Sequence, residues 1–152
     1  MEWIEALGGT IVGLDTAPLI YLIEENPIFL PFVRPFFEAV DRGEFRVVTS
    51  ILTLTEVLVH PMRRGDQELA DQYRRILLHA SQVTTAPVSE MIADEAAQLR
   101  ARHGLRTPDA IQLATAIRSG ASSFLTNDTR LPSLPPLNML VLNQLDSQDT
   151  LT

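Results

Sequence analysis

Four acidic residues, Asp15, Glu56, Asp109 and Asp128, occupy positions in this 152-residue chain from which carboxylates could act together. Asp15 directly follows the apolar run of residues 7–14. Asp128 lies two residues beyond Phe124-Leu125-Thr126, another strand-like run. Asp109 falls in the first turn of a predicted helix, and Glu56 in a helix that begins just past the second predicted strand. In an open α/β sheet, ligands sit beyond the carboxyl ends of the strands, and all four acids can reach that end.

Each acid alone has a plain structural reading. Asp15 and Asp128 could cap helices. Asp109 could complement a helix dipole, worth about 0.3–1 kcal/mol. Glu56 resists this treatment, because Leu52, Leu54, Val57, Leu58 and Val59 leave little of its helix polar, and a buried lone carboxylate is costly unless paired or bound to a cation. Joint placement at one face outweighs the single readings. Clustered carboxylates repel one another, and a hard divalent cation such as magnesium or manganese is one means of holding them. Such a site activates water and stabilises the charge that develops on a phosphodiester under attack. The cluster therefore points to metal-assisted phosphoryl chemistry.

The elements that must position these acids follow from hydrophobic periodicity. Residues 7–14 read as a strand buried on both faces of a parallel sheet. Helical pattern follows through Leu19, Ile20, Leu22 and Ile23, broken by Pro27 and Pro31. A helix over 32–41 is closed by Gly43. Residues 45–49 form a strand, and 51–60 a helix that Pro61 stops. Asp66 caps the next helix, whose apolar face is Leu69, Tyr73, Ile76 and Leu77. A weak strand at 82–85 precedes a helix at 89–103. Thr107 caps a helix with Pro108 at its first position, running to Ser119. Strands at 123–126 and 138–142 complete the series, around the proline-rich segment 132–136. Alternating strands and helices imply right-handed crossovers and a parallel sheet covered on both faces. One domain over residues 1–145 is expected, with 146–152 a frayed polar tail.

Composition narrows the alternatives. The chain has no cysteine, which excludes disulfides and thiolate metal sites. All twelve basic residues are arginine, so a P-loop that needs its lysine on the phosphates is excluded. A formal charge of −7 argues against indiscriminate coating of nucleic acid, although a few placed arginines could still hold phosphate through their planar fork. No apolar stretch is long enough to span a membrane, and the acidic Met1-Glu2-Trp3-Ile4-Glu5 start is unlike a signal peptide. A cytoplasmic location is the expectation.

At the acidic residues the sequence resembles the PIN-domain family, in particular the toxin half of VapBC-type toxin–antitoxin pairs. The resemblance is carried by Gly13-Leu14-Asp15-Thr16 with Leu19-Ile20-Tyr21-Leu22, and by Thr49-Ser50-Ile51-Leu52-Thr53-Leu54-Thr55-Glu56-Val57-Leu58. It continues in Arg106-Thr107-Pro108-Asp109-Ala110-Ile111-Gln112-Leu113-Ala114-Thr115-Ala116 and in Phe124-Leu125-Thr126-Asn127-Asp128. Order and spacing agree from residue 11 to about residue 142. The resemblance implies a three-layer α/β fold with a five-stranded parallel sheet between helices, and Mg²⁺- or Mn²⁺-dependent hydrolysis of RNA. By motif position Asp15, Glu56, Asp109 and Asp128 would be the catalytic quartet, with Asp15 and Asp109 the principal metal ligands. Thr16, Thr126 and Asn127 would support the site. The implied partners are an RNA substrate, a small antitoxin and a second copy of the chain. Pro18, close behind Asp15, departs from the usual pattern but is tolerable in a first helical turn.

Other candidates carry less. His60 shares a helix face with Glu56, but a satisfied histidine beside Pro61 outweighs a metal ligand, and His79 and His103 suit helix ends. Arg63, Arg64, Arg74, Arg75, Arg100, Arg102 and Arg106 could contact phosphate. Arg106, three residues from Asp109, is the strongest of them as a substrate contact. Ser50, Thr53 and Thr55 lie near Glu56 without the histidine–acid partners that nucleophilic catalysis needs. A haloacid-dehalogenase-like phosphatase would want a second aspartate where Ala17 stands. Two rival functions remain open. One is a non-catalytic module whose acidic cleft binds a basic peptide; the other is a phosphatase or DNA-directed nuclease on a similar sheet.

Overall fold

Five strands, β1 (Ile11–Leu14), β2 (Arg46–Ser50), β3 (Val83–Ala86), β4 (Ser123–Thr126) and β5 (Asn138–Val141), form one sheet in the computed structural model, which describes residues 1–149. Every pairing is parallel, and the order is β3-β2-β1-β4-β5. The chain thus builds outward from β1 to β3, then returns to lay β4 and β5 on the other side. That reversal makes the crevice past the carboxyl ends of β1 and β4 a topological switch point, the place where open α/β sheets take ligands.

The helices are α1 (Glu2–Glu5), α2 (Thr16–Ile23), α3 (Leu30–Asp41), α4 (Ile51–Arg64), α5 (Gln67–Arg74), α6 (Glu90–His103), α7 (Thr107–Arg118) and α8 (Leu142–Asp149); Arg75–His79 prolongs α5 as a π-helical turn. Alternation along the strands sorts the core into two layers. Val12, Leu14, Val47, Leu125 and Leu140 pack with Phe32, Val33, Phe36 and Tyr73 on one side. Phe124 and Met139 point the other way, into Leu99, Ala110, Leu113 and Ala114 of α6 and α7. The sheet is therefore sandwiched, as its near-continuous apolar strands require. On the first side Tyr73 donates to Glu24 Oε2 at 2.5 Å, tying α5 to the end of α2, and burial pushes its phenol pKa well up.

Several boundaries differ from the sequence reading. The first strand begins at Ile11, because Gly9 takes a left-handed φ of 75° and Thr10 Oγ1 turns back to Leu7 O. The short α1 had no periodic signal and was not expected. α3 begins at Leu30, two residues before the expected start, and takes Pro31 into its first turn, where the missing N–H is not needed. Pro61 does not end α4, which runs on to Arg64 and stops at left-handed Gly65. α7 begins one residue early, with Arg106 at the cap position and no side-chain cap, so Thr107 is its first helical residue. β5 ends at Val141, and α8 carries the chain through 142–149 where a frayed tail from 146 was expected; residues 150–152 lie outside the described residues.

One contact sets how closely α7 approaches the sheet. Gly13 lies in the central strand, and a Cβ built on it would meet Ala116 Cβ at 2.6 Å and Phe124 Cδ1 at 2.8 Å. Both neighbours are buried core atoms and cannot swing away. Only a glycine lets α7 lie this near β1, and α7 bears Asp109 while β1 delivers Asp15. Gly13→Ala is expected to destabilise the protein by about 1–3 kcal/mol through overpacking, read as a lower melting temperature in thermal denaturation. An unchanged melting temperature would show that α7 can shift freely.

Candidate active site

Asp15 is placed by the end of β1 and the start of α2. Its backbone N–H donates to Leu125 O at 3.0 Å, the last rung between β1 and β4. Its side chain caps α2, accepting from Thr16 N at 2.9 Å on Oδ1. Thr126 Oγ1 donates to the other oxygen, Oδ2, at 2.7 Å. Pro18 sits buried in the first turn of α2, where its missing N–H costs nothing. The Thr126 hydroxyl oxygen also accepts, from Asp128 N at 3.0 Å. One threonine thus joins the acid after β1 to the acid after β4.

Asp128 turns the chain, accepting from Arg130 N at 2.9 Å, and its carboxylate is gripped by the same arginine through Nε at 3.0 Å and Nη2 at 3.1 Å. These bonds hold its carboxyl below the ordinary range. Asn127 donates from Nδ2 to Tyr21 OH at 3.1 Å and accepts from Asn143 N at 3.2 Å, so it bridges α2 and α8 behind the loop. Asp109, in the first turn of α7, is half-buried and meets Arg106 Nε at 3.4 Å.

Glu56 corrects one premise of the sequence reading. The neighbours that made α4 look buried belong partly to an exposed face: Val59 is 41% exposed and Glu56 itself is exposed. Its carboxyl is nevertheless drawn into the group. Partial desolvation raises its pKa, repulsion from Asp15 and Asp109 adds to the rise, and the Thr16 hydroxyl and the Arg106 charge oppose it. For Asp15 burial is likewise the main cause of a raised pKa. The bonds from Thr126 and Thr16 counter it, and the charges of Asp109 and Asp128 add to it. Asp15 therefore stands within the fields of Asp109 and Asp128, and Glu56 within those of Asp15 and Asp109. Asp15, Glu56 and Asp128 line a single cleft of about 450 Å³ together with Thr16, Tyr21 and Arg130. Asp109 does not line it but repels both Asp15 and Glu56.

The remaining candidates fall away from this group. His60 meets Arg64 Nη1 at 3.3 Å, and His79 and His103 are exposed. Arg74 pairs with Asp71, and Arg100 Nε donates to Leu105 O at 2.9 Å. Sequence reasoning missed Arg130 and Tyr21. It also missed a buried polar cluster of Thr49, Thr53 and Gln112 beneath the acids, in which Gln112 Nε2 donates to Thr53 Oγ1 at 2.6 Å. A lone amide on the apolar run Ala110–Ala116 was the available signal for it, three residues past Asp109.

The donor set suits a divalent ion in its chemistry. Every ligand offered is a hard oxygen, and the mutual repulsion is the kind a cation relieves. Among the described residues, however, no three acids converge on a common point as they stand. Arg130 occupies both oxygens of Asp128, and Arg106 Nε lies 3.4 Å from Asp109. Both guanidinium side chains are largely exposed and free to swing. The set fits a cation, in a site whose ring is open.

Comparison with known proteins follows the same lines. The family model described as PIN domain matches residues 12–135. No curated protein matches the chain by sequence. Among solved structures, it is similar to a toxin-antitoxin complex from Klebsiella pneumoniae, at 23% identity and a TM-score of 0.60, covering 85% of this chain and 95% of that one. It is similar to VapBC2 from Rickettsia felis bound to a promoter DNA fragment, at 17% identity and a TM-score of 0.64, covering 85% and 96%. It is also similar to DNA-bound VapBC from Salmonella typhimurium, at 16% identity and a TM-score of 0.66, covering 88% and 98%.

The raised carboxyls fix a sign for pH dependence. Unfolded, Asp15 and Glu56 titrate near 3.8 and 4.5, and folding lifts both. Their contribution to stability is therefore whole below those values and is lost as pH rises through the raised folded ones. Asp128 has the opposite sign, but solvent screens its pair with Arg130. Asn at position 15 can still accept from Thr16 N and donate to Thr126 Oγ1. In chelator, Asp15→Asn is expected to melt above the unaltered protein at about pH 7, with the gap closing towards about pH 4. A gap that is absent at neutral pH would contradict the burial of an ionised Asp15.

Proposed function

The chain belongs to the PIN domain family, and from that premise we propose that it is a metal-dependent endoribonuclease, the toxin of a toxin–antitoxin pair. The observation that carries the reading is the placement of Asp15, Glu56 and Asp128 along one cleft at the switch point of a parallel sheet, with Asp109 near enough to act on Asp15 and Glu56. A Mg²⁺ or Mn²⁺ ion bound by Asp15 and Asp109 would supply an activated water and neutralise charge on the phosphodiester. The protein's own residues do the rest. Thr126 and Thr16 fix the rotamer of Asp15, leaving one lone pair on each oxygen for a ligand. Glu56, its pKa raised by partial desolvation and by its acidic neighbours, suits transfer of a proton to or from the attacking water. Asn127 braces the loop that carries Asp128. Arg106 and Arg130, exposed at the mouth, suit the flanking phosphates of a single strand.

The same reading extends to partners. A small antitoxin would place a basic side chain among the acids, where the −7 charge attracts it. The three structural neighbours, all of toxin–antitoxin assemblies, support such a partner. No helix among the described residues is long and apolar enough to cross a membrane, and we place the activity in the cytoplasm. A homodimer is expected, since Val59 and Met62 share an exposed apolar face of α4. Light scattering at micromolar concentration checks it, and a monomeric mass would count against it.

The decisive test is Asp109→Asn, which removes one charge at nearly constant volume. The variant is expected to be as stable as the unaltered protein in chelator, or more so, and to cleave no RNA. Magnesium at ten times its dissociation constant should stabilise the unaltered protein by about 1.4 kcal/mol, or roughly 3–6 °C in melting temperature. The variant should lose most of that shift. Equal shifts in both proteins, or retained RNA cleavage, would remove Asp109 from the metal site.

A further inference from the structure

Beneath the acids lies a hydrogen-bond chain whose direction is fixed. Leu14 O can only accept, and at 2.8 Å it takes the single proton of Thr49 Oγ1 in preference to Gln112 Oε1 at 3.4 Å. Thr49 is then the acceptor in its 2.8 Å contact with Thr53 Oγ1, and Thr53 spends its proton in turn. Thr53 must accept from outside, and Gln112 Nε2 donates to it at 2.6 Å. The amide oxygen of Gln112 faces Ser50 N at 3.3 Å, at the start of α4. The order is Gln112 to Thr53 to Thr49 to Leu14 O. The three side chains are shielded from bulk solvent: Thr53 is 0%, Thr49 1% and Gln112 3% exposed.

The endpoints of this chain coincide with the acids. Gln112 lies three residues after Asp109 on α7, and Thr53 three residues before Glu56 on α4, so each shares a helix face with its acid. Leu14 is the residue before Asp15. The relay therefore joins α7, α4, β2 and β1 about one helical turn below the carboxylates. Thr16, whose hydroxyl serves Glu56, packs its oxygen 3.4 Å from that of Thr53 and closes the floor.

We propose that the Gln112–Thr53–Thr49–Leu14 relay sets the spacing of Asp109, Glu56 and Asp15, making Gln112 and Thr53 positioning residues for the cation those carboxylates take. The proposal rests on the metal-dependent reading above. Hydrophobic packing alone would hold the helices against the sheet but would allow them to slide. A directed chain of buried bonds fixes their height and rotation, which a multi-carboxylate site requires.

A structural role and a positioning role separate when stability and cation affinity move in opposite directions. Thr53→Ser keeps the hydroxyl and loses a buried methyl. It is expected to melt lower than the unaltered protein yet bind Mn²⁺ equally well in calorimetry. Gln112→Met with Thr53→Val removes both partners at similar volume, so few buried groups are stranded and most of the stability returns. That double variant is expected to lose about 10- to 100-fold in Mn²⁺ affinity while remaining folded. Gln112→Met alone should show both defects. The proposal is overturned if the folded double variant binds Mn²⁺ as the unaltered protein does, or if affinity follows melting temperature across the set. Failure of the unaltered protein itself to bind Mn²⁺ would overturn the metal-dependent reading, and this proposal with it, a result distinguishable because it appears before any substitution is made.

Discussion

The cost of keeping ionised carboxylates partly buried and close together is the constraint to which this site answers. Asp15, Glu56, Asp109 and Asp128 arrive from four separate elements; burial raises the cost of ionising Asp15 and Glu56, the charges of Asp109 and Asp128 add to it at Asp15, and those of Asp15 and Asp109 add to it at Glu56. The protein opposes that cost with a different device at each acid. Asp15, the most enclosed, accepts one bond on each oxygen. Asp128 is held by a two-pronged guanidinium. Asp109 meets a looser arginine, and Glu56 leans on a threonine hydroxyl while remaining at the surface. Rigid, neutral donors serve the buried end of the cluster and mobile cations its open end. That gradient suits a site that must stay assembled without ligand and still admit one.

The fold makes the crowding possible through connectivity and close approach. Because β2 and β4 flank β1, the segments that leave the carboxyl ends of all three strands open onto one crevice. α7 then comes close over β1 because residue 13 lacks a side chain. Under the acids, hydroxyls and an amide replace the aliphatic side chains that would otherwise fill the floor. An apolar floor would pack as densely, but it would not couple the rotation of α7 to that of α4. Each buried bond is worth only about 0.5–1.5 kcal/mol net, so the floor contributes more to geometry than to stability.

Much of this was legible in the sequence where signals were local. The strand after which Asp15 stands, the Thr-Asn-Asp segment after β4, and the alternation of apolar runs with amphipathic helices led to a parallel sheet and to the four acids. What was not legible depended on partners distant in the chain. Thr49 and Gln112 are 63 residues apart, and neither announces the other. Arg130 reads as a solvated base until the turn at Asp128 folds it back. The burial of Glu56 was overestimated, since apolar neighbours at helical spacing do not reveal that Val59 and Met62 face outward. Pro61 misled, because a helix-breaking residue is judged by position in the helix, and position is known only once the helix is.

The all-arginine composition acquires meaning at the mouth of the cleft. A lysine opposite Asp128 would place a point charge there, whereas Arg130 covers both carboxylate oxygens with a planar fork and presents its remaining N–H groups outward. Arg130 is largely exposed, so water screens the pair, and under the proposed function a doubly charged ion with oxygen ligands would compete against a weak incumbent. Once displaced, the guanidinium remains tethered two residues from the acid it left, where a phosphate oxygen would meet it. Net acidity and recognition of a polyanion are then compatible. The excess negative charge belongs to the whole chain and discourages indiscriminate binding, while under the proposed function the arginines at one cleft would provide the local field for a phosphodiester.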